Sequence, residues 1–375
     1  MKILIAGDFC PRDRVSQLIE LKNYSEIFSE VVKFTSSVDF SVVNLEAPVV
    51  KGEAFPIDKC GPNLKCTPYA VEAIKYAGFK AVTLANNHIY DFGEVGITDT
   101  LSTLNDYQIE YMGGGRNIQE ASSVFYKKIG DKKIAVINCC EHEFSIATEC
   151  TGGANPLNPI KQFYFIQEAK NNADFVLVIV HGGHEHYQLP SPRMKDIYRF
   201  FIDAGADSVI NHHQHCFSGY EIYKQKPIFY GLGNFCFDSP MKRNSIWNEG
   251  YLLLLSFVDG KVSFEMHPYI QGDNKIGVKI LSNKDLFFKK IECLNRIIEN
   301  DVLLEKEYRS FMKRNSKAYL LSLSPYQNHF FRSLFLRGFL PLLIGRKKAL
   351  LLFNFISCES HVEKLLFSIN SLLKK

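Results

Sequence analysis

The chain has 375 residues, 46% of them hydrophobic and 22% charged, and a formal net charge of +4. That is the composition of a soluble globular protein with one large or two ordinary domains and enough apolar residues for a sizeable core. So mild a basic excess leaves no nucleic-acid footprint, and no run reaches the ~18 apolar residues of a membrane span. Ten cysteines are scattered without zinc-finger spacing, and a chain of this size needs no disulfide framework. Reduced thiols in a cytoplasmic setting are the simplest expectation. The opening MKILIAGDF is too short an apolar run for a signal peptide and ends in an Asp.

In chain order, Lys2 to Ala6 reads as a buried strand with Asp8 just past its end, where ligands collect in α/β sheets. A turn role would also account for that Asp. Val15 to Lys33 reads as helix. Asp39 to Asn44 is a second strand, and Asn44 and Glu46, two residues apart, would point to one face. A polar turn before Pro48 is the alternative. Lys51 to Cys66 is a Gly/Pro-rich loop, and Thr67-Pro68 opens a helix that stops at Gly78. Lys80 to Leu84 is a third strand, which delivers Asn86, Asn87 and His88. An Asn carboxamide can ligate a hard metal through oxygen, and a neighbouring His can donate a proton. An Asn-rich turn at a helix start is the competing reading.

Gly96 to Gln108 reads as helix and Glu110 to Gly115 as a strand ending in glycines, with no phosphate-loop motif after it. Val124 to Ile129 and Lys133 to Asn138 form a hairpin turning at Gly130-Asp131. His142 reads as a loop histidine, and Ile160 to Asn171 as a helix.

The stretch from Asp174 to Asp238 holds six of the eleven histidines. Phe175 to Val180 (FVLVIV) is a continuous apolar run, so it reads as a buried strand. His181, His184 and His186 follow it. Ser191-Pro192 caps and opens a helix, and Gly205 ends it. Ser208 to Ile210 is a weaker strand, followed by His212, His213 and His215. Imidazole is the commonest neutral metal ligand, and both clusters sit at strand ends. Pro227 to Tyr230 is a further strand. Its glycines allow close backbone approach, and Asn234 after them could orient a ligand. Gly250 to Phe257 and Lys261 to Pro268 form a second hairpin. From Asn283 the pattern changes to helices: Leu286 to Met312 is charged and amphipathic, and Phe330 to Phe355 is apolar and basic. Arg337, Pro341 and Arg346-Lys347-Lys348 break the latter, so it cannot cross a bilayer as one helix. A helical pair packed on the main domain is the favoured expectation, with a membrane surface or a partner as the alternative.

Candidate ligands therefore come from five strand ends: Asp8, Asn44 with Glu46, Asn87 with His88, His181, and His213 with His215. Mixed oxygen and nitrogen donors without thiolate suit Mn, Fe, Zn or Mg, as one ion or as a pair about 3.5–4 Å apart.

These blocks resemble the CapA family, capsule or poly-γ-glutamate synthesis proteins with a calcineurin-like metallophosphatase fold. The resemblance rests on Gly7-Asp8, Asn44-Leu45-Glu46, Ala85-Asn86-Asn87-His88 with Asp91 and Gly93, and His181 to Glu185. It continues through Ser191-Pro192, Ala204 to Asp207, His212 to His215 and Pro227 to Phe235, in family order, and covers about Met1 to Pro268. It implies an α/β fold, a four-layer α/β/β/α metallophosphatase-like sandwich over residues 1–270, with a helical extension over 283–375. It also implies a divalent metal site of Asp8, Glu46, Asn87, His181, His213 and His215. His88 would be the proton donor or phosphate contact, and Glu185 would orient His181 or a ligand. Asn44, His184, His212 and Asn234 would lie on the substrate side. The chain departs from the family pattern at Asn211 and Gln214, where Gly and Pro are usual, and lacks the Asp-x-His pair of ordinary metallophosphatases. Two functions follow as expectations. One is a metal-dependent hydrolase of a phosphoester or anionic capsular polymer. The other is a non-catalytic assembly or export subunit whose C-terminal tail docks a membrane-bound capsule synthesis partner. Nucleic acid is not an expected partner. The expected location is cytoplasmic, or peripheral to the inner face of the membrane.

Overall fold

In the computed structural model, residues 1–258, 260–322, 326, 328–357, 361, 365 and 369 are described. The strands are β1 (Lys2–Phe9), β2 (Phe40–Leu45), β3 (Ala81–Thr83), β4 (Glu110–Met112), β5 (Gly114–Gly115), β6 (Phe125–Ile129), β7 (Lys132–Cys140), β8 (Gly153–Ala154), β9 (Phe175–His181), β10 (Ser208–His212), β11 (Tyr220–Tyr223), β12 (Lys226–Phe229), β13 (Asn234–Cys236), β14 (Glu249–Val258), β15 (Lys261–Gln271) and β16 (Val278–Ile280). The helices are α1 (Asp13–Glu20), α2 (Tyr24–Thr35), α3 (Tyr69–Tyr76), α4 (Gly93–Asp106), α5 (Ile118–Ala121), α6 (Pro159–Asn172), α7 (Pro192–Asp203), α8 (Asp285–Glu299), α9 (Asp301–Ser322), α10 (His329–Leu336) and α11 (Arg346–Ser357).

One large sheet runs β16-β15-β14-β1-β2-β3-β4, with β13 also paired to β1; the second runs β11-β12-β10-β9-β7-β6, and β5 pairs with β8 in a small two-stranded sheet. The strands that carry site residues are parallel in each: β1 with β2 and β13, β2 with β3, and β7 with β9 and β9 with β10. Their carboxyl ends therefore fall on the same edge of each sheet. Alternation along the strands splits the core in two. Ile3, Ile5 and Val42 of the first sheet meet Val136, Leu177 and Ile179 of the second. The neighbours Leu4, Ala6 and Val43 turn the other way, onto Val15, Phe28, Ile74 and Ile97 of the outer helices. With α6 and α7 against the second sheet, the layers are α/β/β/α, as expected.

Some local expectations change. The single helix expected over Val15 to Lys33 breaks at Leu21 to Asn23, where Lys22 is left-handed (φ 54°). The β11–β12 hairpin is not legible in the sequence. Its two-residue turn is Lys224-Gln225, both with positive φ (49° and 65°), without the Asn-Gly or Asp-Gly signal such turns favour. Of the expected caps, Ser191 Oγ accepts the N–H of Met194 (3.2 Å), while at the Thr67-Pro68 helix start no side chain caps the helix and Thr67 Oγ1 donates to Glu20 instead.

The first compact unit runs from Met1 to Glu305. It takes in α8, which the sequence reading places in the C-terminal extension, because Phe287 and Ile291 join the core between the sheets. The second unit is Lys306 to Lys375. Among the described residues, no helix is long and apolar enough to cross a membrane.

Gly7 marks the tightest approach beside the site. A Cβ there would lie 1.8 Å from the carbonyl oxygen of Gly233. Overfilling a packed core costs about 1–3 kcal/mol and sometimes more. Gly7→Ala is expected to reach the top of that range, read as a lower denaturant midpoint at unchanged slope. An unchanged midpoint would show that β1 and β13 can move apart freely.

Candidate metal centre

Five segments bring polar side chains to one buried cluster. Asp8 is the next-to-last residue of β1, just beyond an irregularity in its pairing with β2. Its Oδ1 accepts the amide of Asn44 (2.8 Å), and its Oδ2 accepts the backbone N–H of His213 (3.1 Å). Glu46 follows β2, fully buried, and neither carboxylate oxygen has a hydrogen-bond partner. Its Oε1 lies 3.5 Å from His181 Nε2 and 3.6 Å from His215 Nε2. His181 is the last residue of β9, and its Nε2 also meets Asn87 Oδ1 (3.1 Å) and His213 Nδ1 (3.0 Å). His213 and His215 both occupy the left-handed region (φ 89° and 54°), which aims two rings of one short loop into the cluster. Such φ values in non-glycine residues concentrate at functional sites, where the surroundings hold them.

Beside a group of Glu185 with His213 and His215 that includes an exposed carboxylate, two fully buried groups of candidate ligands result, Glu46 with His181 and His213, and Asp8 with Glu46 and His215. Glu46 belongs to both. Separations near 3.5 Å are long for hydrogen bonds. They match the ~3.4 Å edge of a tetrahedron whose ligand bonds are about 2.1 Å. The tautomer of His215 agrees. Asn234 donates its amide N–H to the carbonyls of His215 and Trp247, so its Oδ1 accepts from His215 Nδ1 (2.9 Å). That leaves the Nε2 lone pair of His215 facing Glu46. A buried carboxylate without a donor, ringed by neutral imidazoles, fits a divalent cation of the Mn, Fe, Zn or Mg type.

The electrostatics point the same way. Burial pushes the Asp8 carboxyl up to about 7, against the hydrogen bonds from Asn44 and His213. Burial, and then the Asp8 charge, pushes Glu46 well above the carboxylate range. Burial also holds His181 and His215 well below the usual imidazole value, and takes His212 down to about 3. A cation would supply the countercharge that both carboxylates lack.

The other expected residues fall into three places. Asn87 sits at the cluster, with its Nδ2 donating to Glu143 (3.1 Å). Asn44 and Asn234 are sealed from solvent behind Asp8 and His215, and Asn44 Oδ1 is taken by Thr83 (3.1 Å) and Asn86 (3.3 Å). His212, on β10, is buried beside His181, its register partner on β9. The sequence reading puts these three on the substrate side; the structure buries all three. His184 is half-buried, and Glu185 is exposed at the rim, grouped with His213 and His215 and not with His181.

His88 Nδ1 meets Asp91 Oδ2 (2.7 Å), which commits that ring nitrogen to the fold. Asp91 Oδ2 also accepts the N–H of Leu64 (2.6 Å), and its Oδ1 pairs with buried Lys59. Lys59 Nζ lies 3.1 Å from His88 Nδ1. Sequence reasoning missed Lys59, which sits in a loop without pattern. It also missed Trp247, whose ring packs 4.8 Å from that of His215, and Glu143. No local signal marks any of them.

The sequence matches the family described as "Bacterial capsule synthesis protein PGA_cap" over residues 2–239. It is 31% identical over 251 residues to the capsule biosynthesis protein CapA of Bacillus anthracis, covering 65% of this chain and 61% of that protein. It is 30% identical over 240 residues to the PGA biosynthesis protein CapA of Bacillus subtilis, covering 63% of each. The chain thus spans about three fifths of the length of these relatives. Among solved structures, a novel phosphatase from Mycoplasma pneumoniae is 15% identical with a TM-score of 0.47, covering 73% of this chain and 95% of that one. The matched region contains Asp8, Glu46, Asn87, His181, His213 and His215, and the chain belongs to the bacterial capsule synthesis protein PGA_cap family.

Proposed function

We propose that this chain is a metal-dependent hydrolase acting on a phosphoester or on an anionic capsular polymer. The carrying observation is Glu46, buried without a donor between His181 and His215. Asp8, Glu46, Asn87, His181, His213 and His215 would hold one or two divalent ions. A bound cation supplies Lewis-acid activation of a phosphoryl or acyl oxygen. Asn44 and Asn234 position Asp8 and His215. His88, fixed by Asp91 through Nδ1, gives a proton from Nε2 to the leaving oxygen. Glu185 stands at the open side, where it can steer a ligand toward His213 and His215.

The test is elemental analysis of the purified chain together with turnover of phosphoesters and γ-glutamyl polymers. Metal with turnover supports the proposal, and a folded protein that takes up no metal on reconstitution removes it. A second reading, a non-catalytic polymer-binding subunit of a membrane-bound synthesis assembly, is favoured by the relatives' names, which place them in biosynthesis. Metal without turnover on any such substrate would select it.

Ligation should be pH-dependent. With burial lifting Asp8 to about 7, its proton must leave before it can bind a cation. Below that pH the proton competes, so apparent affinity is expected to fall about tenfold per pH unit for each proton displaced. Calorimetric titration between neutral and mildly acidic pH checks this. A flat profile would show that Asp8 is not a ligand.

A further inference from the structure

We propose that the segment from His329 to Ser357 is a contact for an anionic lipid surface, lying in the plane of the bilayer interface. It comprises α10 and α11 and the link between them. Phe330, Phe339, Leu343, Leu350, Phe353 and Ile356 are all exposed. Single exposed apolar side chains are ordinary, but here six fall within 27 residues, and Leu350, Phe353 and Ile356 stand three apart along α11, the spacing of one helix face. The helices have 8 and 12 residues, so at 1.5 Å per residue they span about 12 and 18 Å, short of the ~30 Å hydrocarbon layer. They can lie on a bilayer but not cross it.

Charge selects the occupant. From Tyr308 to Cys358 the sequence holds nine Lys and Arg and no Asp or Glu. The whole chain has 44 Lys and Arg against 40 Asp and Glu, so outside this segment acids outnumber bases. The cations are interleaved with the apolar residues: Arg332 and Arg337 follow Phe330 and Phe331, and Arg346, Lys347 and Lys348 precede Leu350 to Phe353. These last three stand in the first turn of α11, where the helix's own positive end repels them, so the helix gains nothing from them. An anionic bilayer presents uniform negative charge over an apolar interior, which meets both features at once. The inference is independent of the metal centre.

The test is sedimentation of the full chain with vesicles of phosphatidylcholine, alone or mixed with phosphatidylglycerol, at low and high salt. Binding is expected to the mixed vesicles only, and to weaken with salt. Replacing Arg346, Lys347 and Lys348 by Gln should lower partitioning on the order of a hundredfold, from the attraction each surface cation contributes. Phe339→Ser with Leu343→Ser should lower it at both salt concentrations. All five side chains are surface-lying, and an unchanged unfolding midpoint would show each variant folded. The proposal is overturned if the chain stays in the supernatant with mixed vesicles, or binds neutral and anionic vesicles alike. It is also overturned if the same substitutions instead dissociate a concentration-dependent dimer, which would make a second copy the occupant.

Discussion

Replacing His181 and His213 together by Ala is expected to abolish divalent metal binding while the chain stays folded. The wild type should carry about one or two equivalents, as a hydrolytic centre of this ligand set would. The substitution removes two of the three candidate ligands in the group of Glu46, His181 and His213, and takes away His181, one of the two rings that face Glu46. Losing a residue that merely orients a ligand costs about 10–100-fold in affinity. Losing two ligands should exceed that, leaving less than a tenth of the wild-type content after dialysis. Elemental analysis reads the metal, and circular dichroism reads the fold. If the double variant retains its metal, the ion lies elsewhere and the hydrolytic centre described above is wrong. The Asp8, Glu46 and His215 group sharpens the test. If a second ion sits there, His215→Ala alone should release only part of the metal.

His88→Gln should separate chemistry from metal binding. General acid catalysis by a positioned side chain contributes about 10²–10⁴-fold. The variant should lose turnover in that range at unchanged metal content, because His88 lies beside the cluster and is not in either buried ligand group. Asp91→Asn should act in the same direction. It weakens the hold on His88 Nδ1 and also strips Lys59 of its buried carboxylate. Lys59→Met distinguishes the two effects. If Asp91 acts only by orienting His88, Lys59→Met leaves turnover high. If Lys59 matters through the loop it anchors, turnover falls with it. A His88→Gln enzyme running at the wild-type rate would remove His88 from the reaction.

Much of this site was legible because of where its residues stand in the chain. Asp8, Glu46, Asn87 and His181 each follow a short apolar run, and a buried parallel strand with a polar residue at its carboxyl end is a local pattern. The two departures in the histidine block make contacts between loops. Asn211 donates to the carbonyls of Gly182 and Tyr230, and Gln214 to those of Tyr187 and Leu189, so both tie neighbouring loops without touching the ligand set.

Sequence therefore determined the α/β class, the strand ends that carry the candidate ligands, and the chemical type of the donors, since each depends on residues close together along the chain, while the two-sheet arrangement was implied by the family resemblance. Tertiary structure alone decided which polar residues face the cluster and which are sealed behind it. Asn44, His212 and Asn234 share motifs with the candidate ligands, yet strand pairing buries them behind Asp8, beside His181 and behind His215. Lys59 reaches Asp91 across 32 residues, and Trp247 reaches His215 across 32, through contacts that leave no periodic trace in either segment. Orientation is a property of pairing between distant strands, so no local pattern can record it.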